Sequence, residues 1–228
     1  MRKTGVLTSI IGLATFAGCT APHGGSASSL PDPVMIRRPA LVSRNAGPSR
    51  VLRPPVRRRP VVASSGLPRG VDLPGGIRRG WRYIVIHHSA SESGNASQFD
   101  RYHRNVRGWN ELGYHFVIGN GRGSGDGEIE VGPRWWKQKH GAHCKTPDNR
   151  FNDYGIGICL VGDFETGGPP SPSQLRALEK LVAHLLGACG LSQSSIYTHG
   201  GVTHQTSCPG RSFPFKQFKS RLARLAYR

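Results

Sequence analysis

Three short stretches of this chain concentrate side chains able to hold a metal ion or to serve as nucleophile and base. "YIVIHH" ends on His87 and His88, "HGAHC" carries His140, His143 and Cys144, and "THGGVTHQTSCPG" carries His199, His204 and Cys208. Imidazole and thiolate are preferred zinc ligands, and a catalytic zinc keeps three protein ligands and leaves a position for water. The same residues admit other readings. Paired histidines at a strand end can be one packed and one exposed residue, and Cys208 can be a small buried hydrophobe. Cys208 could also be a nucleophile with His199 or His204 as its base. Neither H-E-x-x-H nor G-x-S-x-G occurs, so the common zinc-protease and serine-esterase signatures are absent.

These side chains need a scaffold, and hydrophobic periodicity predicts one. Arg82–His87 reads as a buried strand that delivers the histidine pair to its tip. "SQFDRYHRNVR", residues 97–107, has helical spacing of Phe99, Tyr102 and Val106. "GYHFVIGN" and "EIEVG" read as strands joined by the loose turn "GRGSGDG", which is out of register for a phosphate-binding loop. "YGIGICLVG" is a nearly continuous apolar run, as in a central strand buried on both faces. The segment from Ser171 to Gly190 is a helix with Ser171 as N-cap, Pro172 at the first position and Gln174 completing a capping box. "SIYTH" predicts a strand ending on His199, and Phe215–Tyr227 a basic last helix. Strands alternating with helices give a single-domain α/β fold, a mixed β-sheet flanked by helices. His103 and His184 read as surface or boundary residues, and His140 as loop surface. His115, adjacent to Tyr114, should face away from it. Trp135 and Trp136 suit either sugar stacking or packing.

Charge and composition divide the 228 residues. Residues 1–80 carry 13 Lys and Arg against 2 acids, residues 81–228 carry 18 against 11, and the whole chain is +18. All four tryptophans and six tyrosines lie at or beyond Trp81, so the packed core belongs to residues 81–228. Residues 1–19 pair a short positive end with the apolar run Val6–Phe16, too short for the roughly 20 residues that span a bilayer, and read as an export signal. Cys19 falls where bacterial lipoproteins carry a lipidated cysteine. Residues 20–80, rich in Pro, Ser, Gly and Arg, read as a disordered tether. Export points to the cell envelope, with the protein held on a membrane facing the periplasm, and disfavours nucleic acid as a partner. Four cysteines remain beyond Cys19, at spacings that match no small disulfide scaffold.

Six motifs in order, "IVIHHSA", "GYHFVIGNG", "GAH", "N-x-x-GIGICLVGDF", "H-x-x-V" and "T-x-CPG", resemble the zinc-dependent N-acetylmuramoyl-L-alanine amidases. That group is shared by phage lysozyme-amidases and peptidoglycan recognition proteins, and the resemblance covers residues 81–222. It implies a peptidoglycan hydrolase that uses zinc-activated water on the amide between N-acetylmuramic acid and L-alanine, acting as a monomer on wall polymer or muropeptides. Carried over by position, His87, His199 and Cys208 hold one zinc ion, with His204 as a rival to His199. Tyr114 and Thr206 act on the reacting atoms, His143 and Asn152 match substrate-groove positions, and His88 falls at a groove position or orients His87. The alternatives are a peptidoglycan-binding module of the same fold that does not cut, and a Cys208-based hydrolase.

Overall fold

The structure is a computed structural model that describes residues 67–73 and 75–225. Its elements run β1 Tyr83–His88, α1 Ala96–Asn105, β2 Phe116–Ile118, β3 Ile129–Val131, α2 Pro133–Trp136, α3 Arg150–Asp153 and β4 Gly155–Leu160. They continue with α4 Pro172–Ala188, β5 Ile196–Thr198, α5 His199–Thr203 and α6 Phe215–Leu225. The five strands form one sheet in the order β3-β2-β4-β1-β5. β1, β2, β4 and β5 are parallel, and β3 pairs antiparallel with β2. This is the mixed sheet with flanking helices that the sequence predicts.

Alternation along the strands gives the sheet two different faces. Ile84 and Ile86 of β1, Ile156, Ile158 and Leu160 of β4, and Phe116 and Ile118 of β2 join one large core with Leu178, Leu181, Val182 and Leu185 of α4 and Phe218 and Leu222 of α6. On the opposite face Val85 packs with Cys144 and Phe151, while Val117 and Cys159 pack with Leu112 and Val161. His87, level with Cys159 in the β1–β4 register, belongs to this second face. The central strand β4 is buried along its whole length, as its continuous apolar run requires.

α4 starts with the full capping box. The Ser171 hydroxyl accepts from the Gln174 amide at 3.0 Å, and the Gln174 side chain accepts from the Ser171 amide at 3.1 Å. The amide nitrogen of the same glutamine donates to the carbonyls of Val161 and Ile118, fastening the helix to two strand ends. Among the described residues no helix is long and apolar enough to cross a membrane.

Three expectations change. The packed region begins before Trp81: Val71 is buried, and Leu67, Leu73 and Ile77 pack against the main core. The reason is polar as well as apolar, since the buried Trp135 indole donates to the Val71 carbonyl at 2.9 Å and Arg79 Nε donates to the Asp153 carbonyl at 2.9 Å. The last residues assigned to the tether are therefore part of the fold. The rest of the tether, the export signal and Cys19 lie outside the described residues. Second, α1 buries His103 and half-buries Phe99, whereas Tyr102 and Val106 are exposed. The inward stripe is thus the i, i+4 pair 99/103. Third, the strand at "SIYTH" stops at Thr198, whose hydroxyl accepts from the Gly201 amide and caps α5, so His199 opens a helix instead of closing a strand.

Candidate active site

β1 carries His87 to the end of the sheet, where three chain segments meet over its imidazole. One potential donor atom from each of His87, His199 and Cys208 lies within 4.8 Å of the other two, and this is the sole such convergence of three among the described residues. The His87 and His199 ring centroids are 4.7 Å apart, and Cys208 Sγ lies 3.8 Å from His87 Nδ1. His87 and Cys208 are buried, while His199 is half-buried, which leaves the group open on the α5 side. His204 is exposed at the C-terminal cap of α5, outside this convergence.

Backbone contacts fix the sulfur. The His88 amide donates to Cys208 Sγ at 3.4 Å, the Gly200 amide donates to the Cys208 carbonyl at 2.7 Å, and Thr206 Oγ1 accepts from the Cys208 amide at 3.2 Å. A Cβ at position 200 would collide with the Thr206 carbonyl, so the glycine lets the start of α5 press against the cysteine loop.

The electrostatics are those of an uncharged, electron-rich pocket. Burial, reinforced by His143, His199 and His88, holds His87 well below the ordinary imidazole range. Burial and the neighbouring His88 also lower His199. Both rings are therefore neutral near pH 7 and present lone pairs. Burial pushes the Cys208 thiol up to about 12, against the opposing pull of the His88 amide. Two neutral imidazoles and a thiol that a cation would deprotonate are a donor set that fits zinc.

Tyr114 stands beside this group, its ring 5.2 Å from that of His87 and packed against the cluster containing Cys159. Burial, then the thiols of Cys159 and Cys208, push its hydroxyl well above the usual tyrosine range, so it remains a proton donor. Thr206 is exposed at the rim, with its oxygen facing the Cys208 amide and its hydroxyl proton free for another acceptor.

The remaining site candidates turn inward. His143 is buried, with Nδ1 3.1 Å from His87 Nε2 and Nε2 3.2 Å from the Gly155 carbonyl. Asn152 Oδ1 accepts from the amides of both His143 and Cys144 at 2.8 Å, so its side chain pins the loop bearing His143. His88, on the opposite sheet face from His87, accepts from the Phe164 amide at 3.1 Å. These three support the site from beneath instead of lining its opening.

Two further histidines support the site: His103, expected at the surface or boundary, is buried, and so is His115. His115 is buried edge-on to Trp81, accepts from the Gly157 amide at 2.9 Å and donates to the Lys139 carbonyl at 3.0 Å. His103 accepts from the Gly113 amide at 3.1 Å and packs against Trp109 and Tyr114, which seats the segment leading to Tyr114. The four-residue spacing of Phe99 and His103 was the available signal. Trp135 is a core residue, and Trp136 is exposed on the surface. Cys144, Cys159, Cys189 and Cys208 are all free thiols.

The same residues can be set beside known proteins. The sequence profile of the N-acetylmuramoyl-L-alanine amidase family matches residues 78–211. An N-acetylmuramoyl-L-alanine amidase of Sus scrofa is 30% identical over 158 residues, a match covering 64% of this chain and 23% of that protein. Peptidoglycan-recognition protein SC1a of Drosophila melanogaster is 29% identical over 151 residues, covering 62% of this chain and 75% of the fly protein. Among solved structures, the endolysin N-acetylmuramoyl-L-alanine amidase LysCS from Clostridium intestinale superposes with a TM-score of 0.54 at 29% identity, covering 65% of this chain and 87% of that one. The chain thus spans less than a quarter of the pig relative and three quarters of the fly relative.

Proposed function

The chain belongs to the N-acetylmuramoyl-L-alanine amidase family, and on that premise we propose that it is a zinc-dependent peptidoglycan amidase. The bond cut is the amide between the lactyl group of N-acetylmuramic acid and L-alanine of the stem peptide. The observation carrying this reading is the convergence of His87, His199 and Cys208 within 4.8 Å, half-open on one side. His87, His199 and Cys208 would hold a zinc ion there, which would supply the Lewis acidity that makes water nucleophilic near neutral pH and polarises a carbonyl.

The chain's own residues do the rest. Tyr114, kept protonated by burial, donates to the oxygen that becomes negative as the amide carbon turns tetrahedral. Thr206, with its oxygen engaged by the Cys208 amide, turns its proton outward toward the same oxygen or toward the attacking water. The His88 amide stabilises the sulfur in its thiolate form.

A cysteine-nucleophile mechanism fits these residues less well. A thiol raised to about 12 holds little thiolate at neutral pH, and that mechanism has no use for His87 or Tyr114. Binding of peptidoglycan without cleavage is the rival to be excluded by experiment.

We extend the proposal to location. The export signal at residues 1–19 and a lipidated Cys19 would hold the enzyme at the cell envelope, facing the periplasm, with residues 20–66 as spacer. The test of the catalytic reading is metal analysis paired with activity. The wild-type chain should hold one zinc, and His87→Ala and Cys208→Ala should each lose zinc and amidase activity together. Full activity in zinc-free Cys208→Ala would end the proposal.

A further inference from the structure

His143 matches a groove position by sequence, yet its side chain is buried and both ring nitrogens are engaged inside the protein. The Gly155 carbonyl can only accept, so His143 Nε2 carries the proton that faces it. Among the described residues no carboxylate contacts either ring, and an uncharged His143 therefore presents a bare lone pair at Nδ1. That lone pair faces His87 Nε2 at 3.1 Å, so His87 Nε2 must be the donor. The remaining nitrogen of His87, Nδ1, is left without a proton and looks toward Cys208 Sγ.

From this geometry we infer that His143 is a positioning residue that locks the tautomer and ring orientation of His87. The relay runs from the Gly155 carbonyl through two imidazoles to a lone pair aimed at the three-donor group. It rests on the metal reading above in one respect, that Nδ1 is the nitrogen used for zinc.

The chain makes room for this relay at some cost. Gly157 lies inside the central strand β4, where glycine packs nothing and weakens the strand. A Cβ at Gly157 would collide with the His143 ring, and so would one at Gly141. Two glycines from separate segments thus hollow out the volume of one imidazole. Asn152 then holds the His143 backbone amide at 2.8 Å, so the ring cannot swing outward with its loop. Packing of this kind marks a side chain held for its direction. Histidines that bind metal commonly hand their second N–H to a fixed acceptor, and losing that acceptor costs about 10–100-fold in metal affinity.

The test begins without metal. In the metal-free full chain, imidazole nitrogen NMR should find His87 and His143 both protonated at Nε2 and bare at Nδ1. His143→Phe keeps a ring in the cavity but removes the acceptor. It should lower the midpoint of urea unfolding while keeping one cooperative transition, release His87 into a mixture of tautomers, and weaken zinc binding about 10–100-fold in chelator competition. His143→Gln, whose side-chain oxygen can accept the same proton, should recover part of that loss. A proton on Nδ1 of His87 in the wild-type chain overturns the inference, and so does zinc affinity in His143→Phe within about twofold of wild type. If the wild-type chain takes up no zinc while His87 still carries its proton on Nε2, the relay stands and the metal reading falls.

Discussion

Tyr114 and His103 show how differently two neighbouring aromatic rings can serve one site. Tyr114 is not among the converging donors, so Tyr114→Phe should keep one zinc per chain. It should lower the rate by about a hundredfold, the usual effect of removing one donor to a developing oxyanion; stopped assays with muropeptide would read it, and an unchanged rate would remove Tyr114 from the mechanism. His103 acts on stability. Burial lowers it to about 4 and lowers His115 to about 3, so both rings stay neutral in the folded chain and charge near 6.5 when unfolded. The unfolded chain therefore binds more protons below about pH 6.5, and stability present above that pH is lost as pH falls toward 4. His103 alone accounts for up to about 3 kcal/mol. Urea unfolding at pH 7.5 and pH 4.5 should show this drop, and His103→Asn should flatten it. At this scale the three converging side chains were picked out through the family resemblance, because the residues alone left Cys208 open as a buried hydrophobe or a nucleophile. The parts played by His143 and Asn152 were not, because position in a motif does not say which way a loop side chain turns.

The elements that carry the site were largely readable, since capping boxes and apolar runs are local signals. The capping box at Ser171 and the buried run of β4 appear where the periodicity puts them. The start of α5 was hidden by Gly200 and Gly201, which look like loop residues, although Thr198 is a good N-cap and its hydroxyl serves as one. β2 is shorter than "GYHFVIGN" suggests, because Tyr114 and His115 are drawn into side-chain contacts before the strand begins. The two faces of the sheet divide labour, α4 and α6 covering the apolar one and the site occupying the other. Ser171→Ala should therefore cost about 1 kcal/mol in urea unfolding while leaving zinc affinity unchanged. A parallel loss of zinc would mean the faces are more tightly coupled than their separate cores suggest.

For the molecule as a whole, composition misplaced one boundary. Residues 67–80 look like tether by content, but a few apolar side chains and one carbonyl make them part of the fold. A chain beginning at Trp81 should be less stable than one beginning at Leu67 by about 3 kcal/mol or more. Burial of Val71 and an acceptor for the Trp135 indole are both lost. Thermal unfolding of the two chains checks this. The charge of +18 should favour a polymer bearing stem-peptide carboxylates, with association weakening as salt shortens the screening length below about 10 Å.

The central claim is that the half-open His87, His199 and Cys208 group cuts one particular amide. It is tested most directly by incubating the zinc-loaded protein with purified peptidoglycan, with and without a chelator, and reading the products by mass spectrometry. The expected result is free stem peptides beginning at L-alanine together with glycan stripped of peptide, both appearing only without chelator. Intact polymer that still binds the protein, or cleavage at any other bond, would contradict it.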